Sequence, residues 1–408
     1  MKYKLKTAFG RNVLTVMTGT GLAQIFPVLI SPILTRIYTP EDFGVLAIYL
    51  LGLSLLTILA TGKYENAVYL PKTHKAVSRI LDLSLTISII ISVFLMGFVA
   101  VFGNLFWAYF DIKHSILWLF VLPVALFISS HYVVLTQLAI RTANYKQLSI
   151  SRVCQSLTFG LVALAIGYLS LSFGLVVATF LGQFVAYSVI QKIGKHKYKF
   201  KNLFRFATAK RYIKFPIYMM PSGLLNAIST NMPIVILSTN FGLMFVGFYE
   251  LVQRTLSAPS TFVGNSLGEV FRQQASDDIR EDGTCRPLIR KTIAKLCIVS
   301  ALPFFGLWYY TPVLFEIIYG EDWLIAGEMA QLLVPMFYLR FMSMPVASII
   351  LLRNRPEIDF WWQLTFLALS LAGLVFRDSI YAAMSYFSII FSFMYLVSFL
   401  INYKLAKV

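Results

Sequence analysis

Twelve times along this chain an apolar run recurs at about the 20-residue length that an α-helix needs to cross the hydrocarbon layer of a bilayer. The runs fall near 13–37, 43–61, 80–102, 116–138, 153–171, 173–190, 215–239, 243–263, 292–318, 326–352, 358–376 and 379–402. The chain is 58% hydrophobic and only 13% charged, whereas soluble domains carry about 25% charged residues. Lipid is therefore its main solvent. Backbone groups in lipid must be satisfied within closed structures, helices or barrels, and runs of this length specify helices. The expected fold is an all-α integral membrane protein of twelve transmembrane helices. The fifth and sixth runs, and the eleventh and twelfth, are separated by turns so short that each pair must form an antiparallel hairpin.

Orientation follows from the cations. With the N-terminus inside, the inner segments hold 30 Lys and Arg, the outer ones only Arg36, Lys113 and Arg377, and the spans Arg254 and Arg340. That asymmetry over short loops predicts both termini in the cytoplasm. Lys2, Lys4, Lys6 and Arg11 lead straight into the first run with no small-residue cleavage site, so that run is expected to stay as a helix rather than leave as a signal peptide. The net charge of +17 would raise the question of nucleic acid in a soluble protein. Here the basic stretch 192–214, nine cations and no acid, has sufficient cause as a topology anchor that attracts anionic lipid, and no nucleic-acid partner is expected. Cys154, Cys285 and Cys297 have neither paired nor metal-ligand spacing, so no disulfide framework and no metal site are expected.

The basic stretch divides the chain into 1–191, six spans, and 215–408, six more. Sliding the sequence by 203 positions lays Gly44 on Gly247; sliding it by 212 lays Pro123 on Pro335 and Arg141 on Arg353. Equal span counts and these coincidences predict two parallel six-helix repeats related by a pseudo-two-fold axis along the membrane normal. Prolines interrupt the helix that opens each half: Pro27 and Pro32 in the first, Pro216, Pro221 and Pro233 in the seventh. Interrupted helices in corresponding positions point to a substrate pathway, although a proline kink also serves packing alone. Ala178, Gly182 and Ala186, spaced four apart, read as a helix-contact face.

Particular segments carry a resemblance. TRIYTPEDFGVLAIY (Thr35 to Tyr49) and ATGKYENAVYLPK (Ala60 to Lys72) resemble the opening of the polysaccharide-biosynthesis flippases. These are the Wzx-like O-antigen, capsule and repeat-unit exporters of the multidrug/oligosaccharidyl-lipid/polysaccharide superfamily. KRYIKFPIYMMPSGLLNAIS (Lys210 to Ser229), GFYELVQRTLSAPSTFVGNSLGEVF (Gly247 to Phe271) and LLVPMFYLRFMSMPVAS (Leu332 to Ser348) are similar to that family's seventh, eighth and tenth spans. The resemblance implies two six-helix bundles around a central cavity in a bacterial cytoplasmic membrane. It implies export of glycans built on undecaprenyl pyrophosphate from the cytoplasmic to the outer leaflet. It also implies partnership with membrane lipids, a polysaccharide polymerase and a chain-length regulator.

A charge near the bilayer centre costs about 3 kcal/mol on insertion scales, so it asks for a partner or a pathway. Arg254 and Arg340 are the deepest cations, and Glu250 lies one turn before Arg254 on the same helical face. A purely structural ion pair is the plain alternative. Similar lipid II flippases place an arginine at the point of Arg254, and Arg36 resembles another cavity arginine of the superfamily, although it also stands where a side chain snorkels to the interface. Lys63 and Glu65 match a charged pair of the family's inner gate, with Pro27, Pro32, Pro221 and Pro233 as candidate hinges. Guanidinium forks suit the oxygens of a pyrophosphate. Asn226, Asn231, Gln253, Gln137 and Gln24 are candidates to bond sugar hydroxyls, although such residues more often bond a neighbouring helix. Trp107, Trp308, Trp323, Trp361 and Trp362 fall near predicted interfaces, as an aromatic belt does.

The two GK pairs, Gly62–Lys63 and Gly194–Lys195, lack the rest of a phosphate-binding loop, so no ATP site and no other cofactor is expected. His131 in the fourth span is a candidate proton site or, more plainly, a hydrogen-bonded buried histidine. Two rival readings stand beside export. A glycan polymerase or glycosyltransferase needs a sizeable loop of acids; here Asp277, Asp278, Glu281 and Asp282 read as a solvated inner loop. A drug/cation antiporter needs an intramembrane acid, for which Glu250 is the deep candidate.

Overall fold

The computed structural model describes residues 21, 23–71, 73–110, 117–142, 144–169, 173–191, 206–353, 355–375 and 378–407. No strand occurs among them, and each apolar run is helical over most of its described length. In chain order the helices are α1 (Ala23–Leu34), α2 (Pro40–Thr61), α3 (His74–Phe110), α4 (Leu117–Arg141), α5 (Tyr145–Tyr168), α6 (Gly174–Ile190) and the short α7 (Phe206–Arg211). There follow α8 (Met220–Asn240), α9 (Leu243–Asp282), α10 (Arg286–Tyr319), α11 (Leu324–Ser343), α12 (Ile349–Leu352), α13 (Pro356–Leu371) and α14 (Ile380–Leu405). Among the described residues eight helical segments are long and apolar enough to cross a membrane, and α1 and α6 are shorter apolar helices.

Local chemistry sets the ends. α2 starts on a capping box: the Thr39 backbone N–H donates to Asp42 Oδ2 at 3.0 Å, the Asp42 N–H returns to Thr39 Oγ1 at 3.4 Å, and Pro40 opens the helix. α9 stops at Gly283, whose left-handed φ of 71° lets its N–H reach the Ile279 carbonyl. This stop lies well beyond the predicted end of the eighth span. Asp277, Asp278, Glu281 and Asp282 are therefore not in a loop but on the last turns of a 40-residue helix. An Arg280–Asp277 pair at 3.9 Å, spaced i to i+3, supports those exposed turns.

The described chain forms two compact units. The first joins the described part of Met1–Pro27 to Ile48–Ala227; the second joins Val28–Ala47 to Ile228–Val408. In the first, α5 and α6 pair closely, because Gly182 lies against the Gln155 carbonyl and the Phe159 side chain, with Ala178 and Ala186 fully buried on the same face. A second core joins Ala67, Val68, Val77, Ile80, Leu81, Leu85 and Val134, with Tyr212 and Phe215 packed on it.

The core of the second unit gathers around Trp323, only 1% exposed, between the rings of Phe43 at 5.1 Å and Phe248 at 5.6 Å. Its indole N–H donates to the Thr35 carbonyl at 3.2 Å. Trp323 is thus a core residue and not part of an aromatic belt: a backbone acceptor satisfies its polar edge, which lets the ring be buried whole. Trp308 and Trp361 are exposed, Trp362 is half-buried, and the Trp107 side chain lies outside the description.

In the same unit α2 and α9 cross at their first turns through glycine. A Cβ on Gly44 would lie 2.1 Å from the Leu243 carbonyl oxygen, and one on Gly247 would lie 1.7 Å from that of Pro40. The shift of 203 that lays Gly44 on Gly247 also lays Pro40 on Leu243. The contact is therefore reciprocal between positions that this shift lays on one another.

Candidate functional site

The second unit draws much of the predicted cationic set around α9. Spacing of i to i+4 puts Glu250 and Arg254 on one face, and Arg254 Nη2 donates to Glu250 Oε1 at 3.3 Å, with the side chains only 14% and 13% exposed. The guanidinium also faces the Phe43 ring, 5.7 Å from its centroid, a cation–π geometry. Gln253 donates to the Tyr249 hydroxyl at 2.7 Å. Arg340 on α11 carries its charge beside the Tyr249 and Tyr395 hydroxyls. The Thr255 and Tyr319 hydroxyls meet at 2.9 Å, and Arg254 acts electrostatically on Tyr319. Four helices thus surround two permanent charges with phenol and hydroxyl dipoles. Such a set can bind anions by charge-assisted hydrogen bonds, with the Arg254 charge already partly offset by Glu250.

The first unit holds a different arrangement. After α2 the chain turns through two successive left-handed residues, Gly62 at φ 55° and Lys63 at φ 57°, into a 3₁₀ turn, Tyr64–Tyr69. Lys63 is the sole non-glycine residue with positive φ among those described, and that conformation costs it about 1–2 kcal/mol. The turn drives Glu65 inside. It is 2% exposed, and its Oε2 finds no hydrogen-bond partner among the described residues. Burial pushes its carboxyl above the usual carboxylate range, opposed by its own backbone N–H, the Lys63 charge and the Thr61 hydroxyl. The Lys63 side chain lies along Gly223, where a Cβ would stand 3.1 Å from Lys63 Cε. Arg141 closes the far end of the turn by donating to the Val68 and Pro71 carbonyls. Arg353, which the shift of 212 lays on Arg141, likewise donates to two carbonyls, of Gly283 at 2.8 Å and Ala406 at 3.3 Å.

The remaining predicted residues are scattered. Arg36 is exposed in the turn between α1 and α2, and Asn226 is exposed on α8. Asn231 is half-buried, and it, Asn226 and Gln24 each engage a neighbour. Gln137 accepts from the Tyr69 hydroxyl at 2.7 Å. Pro27 and Pro32 lie within α1, Pro221 opens α8 just after a π-helical turn, Phe215–Met219, and Pro233 is buried inside α8. His131 Nδ1 lies 2.7 Å from the Phe127 carbonyl and 3.5 Å from the Ser88 hydroxyl, inside the first unit. Periodicity gave no sign of the phenols around Arg340 or of the Phe43 face, which come from other helices; the one readable hint of the 62–63 turn was Gly62.

A family model described as polysaccharide biosynthesis protein matches residues 33–327, a stretch that holds α2 to α10 and both charged pairs. The chain belongs to this family. It is 22% identical over 331 residues to the succinoglycan biosynthesis transport protein ExoT of Rhizobium meliloti, covering 79% of this chain and 65% of that one. The chain spans between 39% and 65% of the length of the curated relatives it matches. Its fold is shared with the lipid II flippase MurJ in an inward closed conformation, at a TM-score of 0.68 and 13% identity over 97% of this chain and 90% of that one. A multidrug resistance MATE family transporter of the MOP superfamily, inward-facing, gives a TM-score of 0.67 and 12% identity over 93% of each chain.

Proposed function

We propose that this chain is a flippase for surface polysaccharide assembly. On this reading it moves undecaprenyl-pyrophosphate-linked repeat units from the cytoplasmic to the outer leaflet of a bacterial inner membrane. It has twelve crossings in two six-helix repeats, both termini in the cytoplasm, and alternating access. Family membership supports the polysaccharide part of this reading. The observation that carries the rest is Arg254: a guanidinium 13% exposed on α9 and held by Glu250 at 3.3 Å, with a second arginine, Arg340, acting electrostatically on the Tyr249 and Tyr395 hydroxyls. The reciprocal glycine crossing at Gly44 and Gly247 supports the repeat.

A pyrophosphate headgroup matches this chemistry, because guanidinium forks replace its water while the prenyl tail stays in lipid. Translocation needs no covalent step, so the chain acts as a transporter and not as an enzyme. The fold shared with a MATE transporter favours one other reading, export of hydrophobic cations, in which Glu250 binds the cation after leaving Arg254.

Replacement of Arg254 by Ala and by Lys in cells tests the proposal. At normal protein abundance, Arg254→Ala is expected to abolish surface polysaccharide and accumulate the lipid-linked precursor, and Arg254→Lys to retain part of export. Wild-type export by the Ala variant sinks it. Thermal protection of the purified protein by hydrophobic cations, with none by anionic lipid-linked glycans, supports the antiporter instead.

A further inference from the structure

Within the first unit the segment that leads from the 3₁₀ turn into α3 and the segment before α8 line a cleft of about 680 Å³. Leu70, Pro71 and Thr73 form one wall, and Arg211, Tyr212 and Lys214 the other; no acid lines it among the described residues. The walls are fixed from behind. Arg141 holds the Val68 and Pro71 carbonyls, the Tyr64 hydroxyl donates to the Ala209 carbonyl at 3.3 Å, and Tyr212 and Phe215 pack on the core around Ile80 and Val134. The cleft therefore does not depend on its two cations for shape.

Its position is set by the helices that leave it. The membrane-crossing segments His74–Phe102 and Phe215–Asn240 both begin here, so the cleft opens where hydrocarbon gives way to water. Around it Leu70 is 61% and Tyr218 68% exposed, with Ile213, Ile217 and Phe206 exposed as well. Cations interleaved with exposed aromatic and aliphatic side chains are the pattern of a segment lying in the headgroup layer. The Arg211 guanidinium leans over the Tyr212 ring at 5.7 Å.

We propose that this cleft is a binding site for the phosphodiester headgroup of an anionic bilayer lipid, with Arg211 and Lys214 on the phosphate and Leu70 and Ile217 in the acyl region. The occupant is a membrane lipid rather than a soluble anion because the apolar rim has use only for a ligand that carries chains. The site is independent of the translocation reading: it lies on one unit and uses none of the residues assigned to export.

The test is thermal unfolding of the full chain in mixed micelles containing phosphatidylglycerol or phosphatidylcholine, with native mass spectrometry counting retained lipid. Phosphatidylglycerol is expected to raise the wild-type melting temperature and to remain bound. Arg211→Gln with Lys214→Gln is expected to bind it roughly 30-fold more weakly, as two cations near an anionic surface imply, with an unchanged melting temperature in phosphatidylcholine. Should that variant fail to fold, Thr73→Trp keeps both charges, fills the cleft, and is expected to lose the retained lipid as well. An undiminished phosphatidylglycerol shift in the variants that fold overturns the site in favour of diffuse attraction by the basic stretch. An equal shift from soluble glycerol phosphate overturns the lipid as occupant.

Discussion

Each unit buries one carboxylate beside one cation, and the two do it in opposite ways. Glu250 and Arg254 sit on a single helix, where i to i+4 spacing brings them to 3.3 Å with 14% and 13% exposure. Glu65 is buried by a turn: two left-handed residues swing it inside at 2% exposure, leaving Oε2 without a partner among the described residues. The helical pair neutralises itself, which lowers the cost of inserting both groups. The turn leaves its carboxyl under-satisfied, so its burial opposes folding whenever it is ionised. One geometry stores a matched pair; the other stores a poised acid.

The largest test of that contrast is removal of each carboxylate. Glu250→Ala removes the carboxylate that Arg254 holds at 3.3 Å, and a loss of about 3 kcal/mol is expected, read as a sharp fall in melting temperature and membrane abundance. Glu65→Gln, which keeps the shape and removes the ionisable group, is expected to be neutral or stabilising at pH 7. Equal losses for the two variants would erase the distinction.

Next in size is the backbone. Gly62→Ala forces a Cβ into φ 55°, where it also meets the Tyr64 ring at 3.3 Å, and a cost of about 1–2 kcal/mol is expected. On α9 no left-handed residue is needed, so substitution of the exposed Gln274→Ala is expected to cost at most about 0.5 kcal/mol. Chemical or thermal denaturation of the two variants side by side measures the difference.

How far such contrasts can be read from sequence follows from their range. Runs of about 20 apolar residues specify helices, and the Glu250–Arg254 spacing is local, so both are legible. So is the Gly44–Gly247 match, whose reciprocal contact gives a physical reason for glycine at both positions: a methyl on either would meet a carbonyl of the other helix. Trp323 misleads because its acceptor, the Thr35 carbonyl, is 288 residues away, and without that acceptor an indole near a span end belongs at an interface. The acids at Asp277–Asp282 mislead because polarity alone does not separate a loop from an exposed helix end; the Gly283 stop was the better signal. The left-handed backbone of Lys63 is not legible in its own residue type, since such a conformation is imposed by packing and not by a lysine's preference.

The pH dependence sharpens the same contrast. Burial raises the Glu65 carboxyl above its ordinary value of 4.5, so the folded state holds this proton more tightly than the unfolded chain does. Stability from this group is then full below pH 4.5 and declines as pH rises through the folded-state value. The melting temperatures of wild type and Glu65→Gln are expected to coincide at the acid end and to separate with rising pH, the variant becoming the more stable. A gap constant from pH 4 to pH 8 would mean the carboxylate is fully compensated where it sits.

The smallest effect isolates Lys63. A Cβ at Gly223 would press on Lys63 Cε at 3.1 Å and lie 3.8 Å from Nζ, but the far end of a lysine is flexible and moves aside at little cost. Gly223→Ala is therefore expected to change stability by less than about 1 kcal/mol, helix propensity even favouring alanine. Its consequence lies in charge: a displaced ammonium attracts Glu65 less, so the pH at which stability declines is expected to move upward relative to wild type. If that decline stays where it was while Lys63→Gln moves it, the Lys63 charge reaches Glu65 without depending on where Gly223 lets the side chain lie.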